Sequence, residues 1–168
     1  TAQAAESDRQ LYNWVFSQSV QTADQVPESE RLSYEAYEQC FQIYRELIAY
    51  NLNDAATQKS LVSRQESMLE AQEELALMRM KAQTTKDRAQ RIALINKYDS
   101  QAQAFNYHQE QLHADIKAFT PVFEQYRANH AHYTENCTEM YYDAEYMAQL
   151  PEDLKAFYGA LMAQKKGD

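Results

Sequence analysis

Apolar side chains recur along the chain in alternating steps of three and four. The longest run reads Ile95, Tyr98, Ala102, Phe105, Gln109, Leu112, Ile116, Phe119, Phe123, Tyr126, His130, Tyr133, Cys137, Met140, Ala144 and Met147, and only Gln109 and His130 interrupt it. Steps of three and four average about 3.5 residues, the spacing that keeps one face of a helix on a partner helix.

Shorter stripes lie on either side. Ser7 and Gln10 fit a reciprocal helix cap. After a flexible lead of residues 1–6, Leu11, Trp14 and Val15, widened by Tyr12, Phe16 and Val20, predict a first helix that closes at residues 22–25. Pro27 suits the first position of a second helix, with Tyr34, Tyr37, Cys40, Phe41, Tyr44, Leu47 and Ile48 as its buried face. Asn and Asp favour caps and turns, so residues 51–54 are the expected break.

A third helix is expected over 54–83, with the seam Leu61, Gln65, Met68, Gln72, Leu75, Met78 and Ala82. Buried Gln is costly, so this helix is expected to lie partly in solvent or against something else. Leu69, Leu77 and Met80 widen its apolar face. Thr84, with Asp87 three positions on, reads as a cap. It separates the third helix from a fourth over 85–118, against the alternative of one helix over 54–119. Thr120-Pro121 reads as the start of a fifth helix over 121–149. Pro151, followed by Glu152 and Asp153, starts a short last helix through Leu154, Phe157, Tyr158, Leu161 and Met162.

The expected fold is therefore all-α: one domain over 1–168, an elongated up-down-up-down four-helix bundle with additional N-terminal and C-terminal helices. Composition agrees. Two glycines and three prolines in 168 residues leave little material for tight hairpin turns or phosphate-cradling loops. No run is long and apolar enough to span a membrane. A net charge of −9 argues against nucleic acid as a partner.

Two cysteines are present, both on apolar stripes. Cys40 lies 13 residues after Pro27 and Cys137 lies 12 before Gln149, so on antiparallel neighbouring helices they come to nearly the same height. A Cys40–Cys137 disulfide is expected, and with it an oxidising compartment. The chain then reads as secreted or periplasmic, a mature form after signal removal, with an upstream lipid site as a possible anchor. Asn136-Cys137-Thr138 fits a glycosylation triplet but falls inside a predicted helix, a chance match.

Chemistry-bearing patterns are sparse. The four histidines fall between positions 108 and 132. His108 or His113 on the fourth helix could approach His130 on the fifth across a seam, and imidazole is a common metal ligand. Neither close-spaced His pair shares a helix face, however. Glu110-x-x-His113 is a single copy of a motif that di-iron bundles use twice. The plainer reading is a buried, hydrogen-bonded His130 and three surface histidines. No nucleophile elbow or haem-attachment motif occurs. No catalytic residue and no cofactor are expected. Thirteen tyrosines remain, with Tyr141, Tyr142 and Tyr146 crowding the last third as a possible contact surface.

The functional expectation is a non-enzymatic, exported helical-bundle protein that contacts another macromolecule, with a protein partner, as a cell-envelope or surface component. The competing class is a small-ligand, metal or haem carrier or sensor built on the bundle and its histidines.

Overall fold

The computed structural model describes residues 19, 20 and 26–166. The helix expected from Ser7, including Trp14, lies outside them, apart from Ser19–Val20, which form a short strand rather than a helix end. The element order is β1 (Ser19–Val20), a 3-10 turn (Glu28–Glu30), α1 (Tyr34–Asn53), α2 (Ala55–Thr84), α3 (Arg88–Asn136), β2 (Tyr142–Asp143), α4 (Tyr146–Gln149) and α5 (Glu152–Lys166). The fold is all-α. Among the described residues, extended pairing is confined to two parallel residue pairs between β1 and β2 and a bridge from Arg31 to Tyr141.

Helix starts differ from expectation where a side chain caps better than proline does. Pro27 leads only into the 3-10 turn, and Arg31 is extended (φ −105°). The backbone N–H of Leu32 donates to the Tyr141 carbonyl at 2.7 Å, and that of Tyr141 donates to the Glu30 carbonyl at 2.8 Å. Ser33 then caps α1, its Oγ accepting from the Ala36 N–H at 3.1 Å. After Asp54, α2 resumes almost at once. The expected turn falls at residues 85–87, but Asp87 rather than Thr84 caps α3, its Oδ1 accepting from the Gln90 N–H at 2.8 Å. Thr84 and Thr85 instead donate their hydroxyls back to carbonyls of the last turn of α2.

The largest correction is at Thr120-Pro121. No break occurs there, and Pro121 sits inside the 49-residue α3. The expected fourth helix and the expected fifth as far as Asn136 are thus one helix, while residues 137–149 leave it for a turn, β2 and the short α4, so the four-segment alternation is not found. Proline inside a helix removes one backbone bond and crowds the carbonyl four residues earlier, at a cost of about 3 kcal/mol. Here the half-buried Ile116, Phe119 and Phe123 continue the apolar stripe across Pro121 without a change of phase. The Thr120 hydroxyl turns back to the Ile116 carbonyl at 2.7 Å instead of capping a new helix. The packing on either side outweighs the lost bond.

The described residues fall into two compact units: those up to Tyr50 together with those from Gln125 onward, and Asn51–Glu124. The first unit holds fifteen of the eighteen buried apolar residues. In it α1 runs antiparallel to the end of α3, as the stacked rings of Tyr44 with Tyr133 (5.9 Å) and Tyr50 with Tyr126 (4.0 Å) show. Between those ring pairs and the chain reversal lies the Cys40–Cys137 disulfide, with a Cα–Cα distance of 5.8 Å. α5 covers the other side of α1. Phe157 meets Phe41 and Tyr44, and Arg45 pairs with Asp153 at 2.8 Å. Glu139, at φ 60°, takes the left-handed conformation that turns the chain back after α3.

The crosslink closes a 97-residue separation, for which the chain-entropy estimate is about 4–5 kcal/mol. Changing Cys137 to Ser in oxidised protein should lower unfolding free energy by ~2–5 kcal/mol. Reducing the parent should do much the same. Denaturant titration with and without reductant measures both, and an unchanged midpoint would contradict the assignment.

Candidate interaction surface

The second unit is a helical hairpin. α2 and the part of α3 up to Glu124 run antiparallel, joined by the turn at 85–87. Arg64 pairs with Asp115 across it at 2.7 Å. The seam of α2 runs Leu61, Arg64, Met68, Ala71, Leu75, Met78 and Ala82, which are buried or half-buried. Arg64 and Ala71 thus take the places expected for Gln65 and Gln72, which are exposed one position further on. The reason is geometric: steps of three and four starting from Leu61 reach 64 and 71 equally well, and the small Ala71 lets the helices approach without burying an amide. On α3 the facing seam includes Leu94, Tyr98, Ala102, Phe105, Leu112, Ile116 and Phe119.

One seam is a thin core. Only Leu61, Ala82 and Leu112 of this unit are buried. Meanwhile every large apolar side chain that is exposed among the described residues lies here: Leu52, Val62, Leu69, Leu77, Met80, Ile92, Ile95, Tyr107 and Val122. Scattered exposed apolar residues are ordinary, but their confinement to one unit is informative. On α2, Val62, Leu69, Leu77 and Met80 all lie well away from the seam at 100° per residue, on an outer side that they share with the exposed Glu66 and Glu73. They do not widen the buried face, as the sequence reading expected.

No family model, no curated protein and no solved structure matches this chain. What the surface can do rests on its own residues.

The expected histidine site does not assemble. His108 and His113 are exposed on the hairpin, while His130 is exposed on the other unit, its ring 6.0 Å from that of Tyr126. Because α3 is continuous through Pro121, all three sit on one helix rather than on two that face each other. Among the described residues no group of three metal-ligating side chains comes together. His130 is also not the buried core histidine of the plainer reading; the half-buried histidine is His132.

The tyrosine surface is corrected too. Tyr142 is buried, its ring 4.7 Å from Tyr37. Tyr146 is half-buried between Tyr34 and Tyr37, at 5.7 Å from each. Tyr141 is half-buried, and its backbone is held by the extended segment before α1. Two of the three are packing groups, because the chain reversal at Glu139 folds this segment back onto α1.

A feature the sequence reading passed over is the charge at the hairpin turn. Arg79, Lys81, Lys86, Arg88, Arg91 and Lys97 are all exposed, and none is in an ion pair among the described residues. Averaging charge over the whole chain hid them. A windowed count would have found them.

Burial raises the Tyr37 and Tyr133 hydroxyls well above the ordinary tyrosine value, and neighbouring tyrosines add to the shift. A raised folded pKa means the unfolded chain gives up these protons first. The associated stability is therefore intact below about pH 10 and is lost as pH rises through the folded values. In alkaline titration a delayed fraction of tyrosinate absorbance should appear only as helical signal falls. Complete ionisation with the helices retained would contradict the buried placement.

Proposed function

We propose that this is a non-enzymatic, exported helical protein that acts by contacting another macromolecule at the cell envelope or surface. The hairpin is the contacting element, and the disulfide-linked unit is the stable body that carries it. The observation behind this reading is the segregation of apolar side chains. One unit buries fifteen of them, and the other exposes nine large ones over a seam that buries three. Exposed apolar side chains concentrated in one unit are what an interaction site would present. The buried cysteine pair supports an oxidising compartment. No helix among the described residues is long and apolar enough to cross a membrane, so contact by a surface-presented hairpin fits better than insertion as a span.

A photo-crosslinking residue placed at Leu69 or Tyr107 in source cells should give a discrete adduct. The same residue at Gln39, exposed on the other unit, should not. Changing Val62 and Leu77 to Gln should remove the Leu69 adduct while circular dichroism stays unchanged. No adduct at either hairpin position, or an equal one at Gln39, would contradict the reading.

A further inference from the structure

The hairpin tip combines a net positive charge with exposed apolar side chains. Residues 77–98 carry six basic side chains against one acidic side chain, a net +5, in a chain whose total is −9. The remaining residues therefore carry −14. The single acid, Asp87, is engaged as the cap of α3. Among the cations stand exposed apolar side chains, one pair from each helix: Leu77 (61% exposed) and Met80 (55%) on α2, Ile92 (46%) and Ile95 (44%) on α3. Arg79 and Arg91 also line one cleft between the helices, together with Ala82, Gln83, Ile95 and Tyr98. Two guanidinium groups on one cleft suit a phosphate, which arginine grips through paired N–H donors.

The geometry points to this tip as a docking site for an anionic phospholipid surface, with lipid phosphate held between Arg79 and Arg91, and with Ile95, on the same cleft, entering the acyl boundary. This goes beyond the contact reading above: it adds a lipid surface at the tip to the macromolecular contact made along the hairpin. Charge complementarity selects the tip: an anionic surface attracts the +5 patch and repels the −14 remainder, so the tip alone is drawn in. The apolar side chains separate lipid from other polyanions. A nucleic acid offers phosphate too, but the ring lining this cleft, Tyr98, is half-buried in the seam, and the large exposed side chains around it are Leu, Met and Ile. A folded acidic protein needs a matched face. The apolar groups here are shared between two helices around a turn, and a fluid surface accepts that arrangement without shape matching. Basic and apolar signals together give stable peripheral binding where either alone is weak.

The test is sedimentation of the oxidised 168-residue chain with vesicles of phosphatidylcholine alone or mixed with phosphatidylglycerol. Binding is expected to the mixed vesicles only, and to weaken as salt is raised. Arg79→Gln with Arg91→Gln should weaken it about 30-fold. Ile92→Ser with Ile95→Ser should weaken it by a further measurable step, with helical content checked by circular dichroism. Because the wild-type comparison between neutral and anionic vesicles stands alone, a misfolded variant leaves the proposal falsifiable. Equal binding to both vesicles, binding to neither, or binding to a DNA duplex in place of vesicles would overturn it. Absence of vesicle binding alongside a discrete protein adduct from Leu69 would remove the lipid surface and leave the contact reading in place.

Discussion

Two helices packed side by side have only one seam to bury, and most of what distinguishes the two halves of this structure depends on that. Along α2 the seam offers Leu61, Met68, Leu75, Met78 and Ala82, but of these only Leu61 and Ala82 are buried. A large apolar side chain contributes roughly 1.5–3 kcal/mol when it is fully buried and much less when it is half in water. The hairpin therefore draws modest stability from its own packing and leaves large apolar side chains open among the charged residues of its outer face. Helix propensity helps, since Ala, Leu, Gln, Glu, Lys and Arg fill α2, but propensity alone is a weak source of stability.

The other unit solves the same problem with a third layer and a covalent tie. α5 and the segment after Glu139 cover α1, so that Tyr37, Phe41, Tyr44 and Leu47 are enclosed, and Cys137 is buried beside them. The aromatic pairs here supply area and fixed geometry. Because α1 and the end of α3 are far apart in sequence, their pairing is a long-range contact. The disulfide limits how far they separate when the chain opens. A well-packed unit and a thinly packed, locally basic hairpin follow from where buried area was available.

Much of the fold was legible because helical periodicity is a strong signal. The α2 limits, the break near Asp54 and the turn at 85–87 were all readable from caps and spacing. The disulfide pairing is as expected, but the heights counted from Pro27 and Gln149 do not explain it, since α1 starts at Tyr34 and Cys137 lies just past the end of α3. The failure at Pro121 is instructive, since the same stripe that identified the helix ran through the proline unbroken. Thr120-Pro121 is strong local punctuation, but the continuous apolar period and the packing it supports outweigh it. The seam shifted from Gln65 and Gln72 to Arg64 and Ala71 because alternating steps admit both registers, and only burial chooses between them. Tyr142 could not be placed from sequence because its burial depends on the reversal at Glu139, a non-glycine residue at positive φ that no local rule flags. The basic tip was legible but was lost in a whole-chain average.

The central claim is that stability and exposed apolar surface are divided between the two units, and hydrogen exchange of the free, oxidised protein reads that division directly. Amides of α1 and of residues 125–136 should open only at free energies near that of global unfolding. Amides of α2 and of residues 88–124 should open at clearly lower free energy, with the lowest values toward the turn at 85–87. Uniform protection along all three helices, or a hairpin more protected than α1, would contradict the account.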